Sequence, residues 1–141
     1  AATIRAFAPA DEAAVVDLWQ RCGLTRPWNH PGKDIARKLS VQADGFAVAV
    51  DAAGRIVGSV MAGYDGHRGW INYLAVSPDV QRGGLGRTLM AWAEAWLRAQ
   101  GCPKINLQIR KDNAVAIGFY QAIGFGEDAV LSMGKRLEHD D

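Results

Sequence analysis

The chain has 141 residues, about one domain, and 49% of them are hydrophobic, with five tryptophans to fill a sizeable core. Its formal net charge is +1, so any anion binding rests on local placement of charge, and neither nucleic acid nor a membrane surface is an expected partner. No apolar run reaches transmembrane length, the first residues lack the apolar core of a signal peptide, and Cys22 and Cys102 fit no metal spacing or disulfide framework; a cytoplasmic protein with reduced thiols and no metal is expected.

Thr3 to Phe7 alternates as a short strand. Pro9 to Glu12 opens a helix whose apolar face is Val15, Leu18, Trp19 and Cys22, and Gly23 ends it. Two prolines and a glycine then break the loop Thr25–Gly32. This loop carries Arg26, Trp28, Asn29 and His30, which no core position demands. It reads either as the wall of a substrate pocket or as a surface connector with Trp28 folded onto the core. Lys33 to Val41 is helical in pattern.

Gly45–Val50 and Arg55–Ala62 are strands joined by the turn Asp51–Gly54. A second hairpin turns at Asp65-Gly66, and Trp70–Val76 is its returning strand. The long helix Leu85–Gln100 shows a stripe of Leu85, Leu89, Trp92 and Trp96, ending at Gly101 and Pro103. Lys104–Ile109 alternates as a strand, and a strand–helix–strand crossover makes it parallel to Trp70–Val76. Asp112-Asn113 caps a helix from Ala114 to Ala122. Val115, Phe119 and Ala122 form one face of it, and Asn113, Ala116 and Tyr120 another. Phe125–Leu137 supplies one or two last strands, and the tail from Glu138 is expected to fray.

The stretch Ser77–Thr88 carries the chemistry. Gly83, Gly84 and Gly86 let the backbone approach a ligand closely just where a helix begins. Helix starts favour acids, yet Arg82 and Arg87 flank this one. A bound phosphate or pyrophosphate reverses that mismatch. A plain glycine-rich turn with solvated arginines is the simpler alternative. No P-loop matches, and Leu89 stands where the last glycine of a dinucleotide fingerprint belongs.

Gln81-Arg82-Gly83-Gly84-Leu85-Gly86 resembles the acetyl-CoA pyrophosphate loop of the GNAT N-acetyltransferases. Asn113 followed by Gly118 to Phe125, with Tyr120 four residues before Gly124-Phe125, is similar to that family's second motif. Arg26–Asn29 and Gly63–Gly69 resemble a bacterial subgroup described only as acetyltransferases. The resemblance spans the whole chain. It implies one N-acetyltransferase domain over 1–141, of mixed α/β class: a bent sheet of six to seven strands with a splayed central parallel pair and about four helices.

The resemblance also implies roles. Gln81, Arg82, Gly83, Gly84, Leu85, Gly86, Arg87 and Thr88 would hold the pyrophosphate. Leu74, Ala75 and Val76 would pair with the pantetheine arm, and Asn113 would hydrogen-bond the cofactor. Tyr120 would protonate the CoA thiolate, a task that suits a phenol because it stays protonated at neutral pH. Trp28, Asn29, Tyr64, His67 and Asn72 are the candidate acceptor-side residues. The implied reaction is acetyl transfer from acetyl-CoA to an amine, with a homodimer left open and a CoA-binding sensor as the alternative. One departure matters. Some family members that acetylate protein N-termini carry a glutamate on the fifth strand, whereas this chain has Gln108, which cannot act as a base. That leaves His67, Asp65, Tyr64 or a water chain to accept the proton.

Overall fold

The computed structural model describes residues 2–80 and 83–140. Five strands form one sheet in the order β1-β2-β3-β4-β5: β1 Thr3–Ala6, β2 Phe46–Val50, β3 Ile56–Tyr64, β4 Gly69–Val76 and β5 Ile105–Asn106. The first four are antiparallel neighbours, and β4 and β5 are parallel. Four α-helices accompany them: α1 Glu12–Arg21, α2 Pro31–Leu39, α3 Leu85–Ala99 and α4 Ala114–Ala122.

Helices cover both faces of the sheet, so its central strands are buried almost continuously. Phe46 and Val48 point to the side of α1 and α2, into a cluster with Val15, Leu18, Trp19 and Ile35. Ala47 and Ala49 point the other way, to Leu89, Met90, Ala93 and Leu97 of α3. The period-2 alternation of a strand thus feeds two cores.

Several expectations need correction. The buried stripe of α3 is Leu89, Met90, Ala93 and Leu97, while Leu85, Trp92 and Trp96 lie half-buried at its margins. The small Ala93 lets the helix sit close to the sheet. The bulky Trp96 ring lies over the Gly45 backbone at the edge, where its N–H donates to Asp44. On α4 the packed side chains are Phe119, Tyr120 and Ile123, and Val115 is 86% exposed. Tyr120 therefore lies on the core-facing side of α4. The helix α2 begins at Pro31, two residues before the predicted start, because the His30 imidazole accepts from the Lys33 amide and caps it.

The sheet has five strands where six to seven were expected, and its parallel pair lies at one end. Among the described residues, no strand follows β5. The segment 126–140 is held instead by side chains. Lys104 and Asn106 donate to Asp128, Gln108 to Ser132, Arg136 to Asn29 and Arg37 to Asp140. Its apolar residues Val130, Leu131, Met133 and Leu137 point to solvent. The tail, expected to fray, is pinned: the Asp140 side chain is 5% exposed and takes a two-pronged ion pair from Arg37 at 2.7 and 3.0 Å.

Candidate active site

Strand β4 is bent at Tyr73, which adopts φ +51°. Ser59 pairs with Ala75 and Met61 with Asn72, so β4 has one residue more than β3 across this span, a β-bulge. A left-handed backbone at a bulky residue is strained and persists only where its surroundings over-determine it. Three contacts do so here. The Tyr73 ring stacks on buried Trp19, with centroids 3.8 Å apart. Its hydroxyl donates to Asp34 at 2.6 Å. Its carbonyl accepts from the Ser59 hydroxyl at 2.8 Å, and Ser59 in turn accepts from the Trp19 indole at 2.9 Å. Burial, then the hydrogen bond to Asp34, pushes the Tyr73 phenol well above its ordinary range, so it remains a donor.

The bulge separates β4 from β5. Their ladder holds two pairs, Gly69 with Ile105 and Trp70 with Asn106. From Ile71 to Ala75, that edge of β4 carries no ladder to β5 among the described residues. An extended ligand arm can add to such an edge as a strand does. The end of α1 braces the far end of β4. The Cys22 thiol donates to the Val76 carbonyl at 3.3 Å, and Arg21 donates to the Ser77 hydroxyl at 3.0 Å.

The start of α3 faces the same end of β4. Gly84 is its N-cap with φ +78°, a conformation glycine adopts without cost, and no side chain caps the helix. The first intrahelical bond runs from the Thr88 amide to the Gly84 carbonyl, and the Thr88 hydroxyl bonds the same carbonyl. The amides of Leu85, Gly86 and Arg87 are thus left without partners inside the helix. Gly83, Gly84 and Arg87 are exposed. Gln81 and Arg82 lie outside the described residues. Gly86 has a packing duty: a Cβ there would stand 3.2 Å from the Phe119 ring and 3.8 Å from Val76. The glycine thereby brings α3, α4 and the end of β4 together.

Tyr120 follows Phe119 on that junction. Its ring packs edge-on between Phe119 and Phe125, with centroids 5.1 and 5.6 Å away. Burial alone pushes its phenol up to about 12. Its hydroxyl makes no hydrogen bond among the described residues, so the proton it keeps at neutral pH is not committed to the protein. Asn113 caps α4 by accepting from the Ala116 amide at 3.1 Å, which leaves its NH₂ group available.

The other predicted residues divide into two groups. Trp28 and Asn29 belong to the α1–α2 loop, on the Tyr73 side of the sheet. Asn72 is exposed, and the bulge turns it to the same face as Tyr73. Tyr64 and His67 are not brought to the bulge. They belong to the β3–β4 hairpin, whose returning strand starts four residues before Tyr73, about 13 Å away along a strand. Asp65 there accepts from the amides of His67 and Arg68 and from the Trp70 indole, the work of a turn residue. The hydrogen bonds from the two amides hold its carboxyl below the usual range. Sequence reasoning missed Tyr73, Asp34 and Ser59. No residue type or spacing in the chain marks them, since a tyrosine in a strand is ordinary.

The acetyltransferase (GNAT) family model matches residues 12–125. The chain belongs to the GNAT family. It is an acyltransferase by that membership and by its relatives. An acetyltransferase of Sodalis glossinidius is 49% identical over 97% of this chain and 96% of its own. Among solved structures, Ard1 from Thermoplasma volcanium matches 92% of this GNAT chain and 85% of its own, with 31% identity and a TM-score of 0.79. The ribosomal-protein-S18-alanine N-acetyltransferase from Escherichia coli matches 91% and 79%, with 27% identity and a TM-score of 0.76. The glycine turn, the bulged strand and the tyrosine helix of this GNAT protein all fall within the matched span. Among the described residues, no helix is long and apolar enough to cross a membrane, and no cluster of metal-ligating side chains occurs.

Proposed function

We propose that the chain, as one N-acetyltransferase domain, transfers the acetyl group of acetyl-CoA to a primary amine by direct attack in a ternary complex. The unbonded hydroxyl of Tyr120, whose half-buried ring packs between Phe119 and Phe125, carries this reading. The pyrophosphate lies on the amides that open α3, where the helix dipole and Arg87 favour an anion, and Gln81 and Arg82, outside the described residues, are assigned to it from the motif alone. The pantetheine arm lies along β4 at Leu74, Ala75 and Val76, and the Asn113 amide donates to it. The amine nitrogen attacks the thioester carbonyl. A C–N bond forms, the C–S bond breaks, solvent takes the amine proton, and Tyr120 gives its proton to the departing thiolate. No cysteine is acylated in this scheme.

The acceptor lies on the Tyr73 face, near Trp28, Asn29 and Asn72. Gln108 differs from the glutamate of protein N-terminal acetyltransferases and spends its amide on Ser132. This favours an acceptor other than a protein N-terminus, although a structural relative acts on ribosomal protein S18. The test is CoA release with a panel of small amines and peptides, alongside acetyl-CoA binding, for the native protein and Tyr120→Phe. Turnover that falls in the variant while binding is kept supports the enzyme. Tight binding without turnover on any amine makes the chain an acyl-CoA sensor, and absence of acetyl-CoA binding overturns the reading.

A further inference from the structure

Two adjacent loop residues each hold an arginine from a distant part of the chain. The Arg110 guanidinium lies over the Trp28 ring, 5.5 Å from its centroid. Arg136 donates to the Asn29 side chain at 3.1 Å. Arg110 follows β5 in the chain, and Arg136 arrives with the segment 126–140. Both therefore meet the α1–α2 loop on the acceptor face.

The two aspartates beside Arg37 are already engaged. Asp34 accepts from Tyr73 and lies 3.6 Å from Arg37. Asp140 takes the two-pronged pair from Arg37. Among the described residues, Arg110 donates no hydrogen bond and has no carboxylate at ion-pair distance. The chain's net charge is only +1, so an arginine without a carboxylate partner is a local feature and not a property of the whole surface.

An arginine stacked on an indole loses little further freedom when it binds a ligand. Its planar fork of N–H donors matches the two oxygens of a carboxylate. A freely solvated surface charge has no need of such a platform. Trp28 stays 42% exposed to provide it, where burial of the indole in the core would otherwise be favoured.

We propose that the acceptor is an amine that also bears a carboxylate, and that Arg110, aligned by Trp28, selects it. The proposal rests on the acceptor face assigned above. Arg136 adds charge from the other side of the loop and acts as the weaker contact, because Asn29 already occupies one of its nitrogens.

The test compares a short amino acid, its carboxamide and a dipeptide with an acidic first residue. Binding to the protein–CoA complex is measured by calorimetry, and KM by CoA release. The native protein is expected to bind the amino acid about ten-fold or more tighter than the carboxamide, with the difference in KM rather than kcat and weakened by salt. Arg110→Gln brings the ratio close to one. Arg110→Lys keeps only part of it, because a lysine keeps the charge and loses the fork. Arg136→Gln lowers it less than Arg110→Gln does. Equal affinity for amino acid and carboxamide in the native protein, or undiminished discrimination in Arg110→Gln, overturns the proposal. Preference for the dipeptide over the free amino acid assigns the carboxylate to a peptide, and the reverse assigns it to a small molecule. If no amine is acetylated the enzyme reading fails, while the calorimetric ratio still decides the role of Arg110.

Discussion

The donor and acceptor sides of the proposed site are built from different materials. The donor side is backbone: a glycine cap, three helix amides, an open strand edge, and one phenol whose proton has no partner among the described residues. The acceptor side is side chain: Trp28 under Arg110, Asn29 with Arg136, Tyr73 with Asp34, and Arg37 with Asp140. Backbone amides bind any pyrophosphate equally well, whatever the acceptor. Side chains on the opposite wall can then differ from one acyltransferase to the next without disturbing the donor. The two sides meet at the Tyr73 bulge, which is strained backbone fixed by side chains.

Breaking that meeting point should have the largest effect. Trp19→Ala removes the ring under Tyr73 and the donor to Ser59 and leaves a cavity, at a cost of about 3–5 kcal/mol. Urea denaturation should show the loss as a lower midpoint. A protein that loses less than about 1 kcal/mol would mean that the bulge is held by something else.

Gly86→Val breaks the donor side alone. Its branched side chain meets Phe119, pushes α4 from α3, and should cost about 1–3 kcal/mol. Acetyl-CoA affinity and turnover should fall together, because Tyr120 moves with the helix. Preserved affinity in a folded variant would separate the glycine from the donor site.

The smallest effect is expected at the tail. Hydrogen bonds from Arg37 hold the Asp140 carboxyl below the usual carboxylate range. A lowered carboxylate contributes above its unfolded value and stops contributing as pH falls through the folded one. Proteolysis or hydrogen exchange of the segment 126–140 should therefore rise on acidification, and Arg37→Ala should show the same rise already at neutral pH. Global stability should barely respond, because the pair fastens a terminal segment whose apolar side chains are exposed. A tail equally protected at both pH values would contradict the ion pair.

The same contrast explains which parts of the molecule are legible in the amino-acid sequence. The donor side is legible because its parts are neighbours in the chain: Gly83 to Gly86 make one turn, and Tyr120 lies one helix turn before Gly124. The acceptor side is not, since Asn29 and Arg136 are 107 residues apart and Arg37 and Asp140 are 103 apart. Helical periodicity locates α3 and α4 but assigns their buried faces imperfectly. Ala93 is buried because it is small, and Val115 is apolar yet exposed because the sheet does not extend beneath it. The bulge leaves no mark in the residue pattern, as Tyr73 has none of the residue types that favour a left-handed backbone.

The proposed proton transfer from Tyr120 to the departing CoA thiolate has a direct kinetic consequence. It is tested by the single-turnover rate of acetyl transfer from bound acetyl-CoA, in the native protein and in Tyr120→Phe. A rate lower by about 10²–10⁴-fold is expected in the variant, with acetyl-CoA affinity essentially unchanged. Equal rates in the two proteins would contradict it.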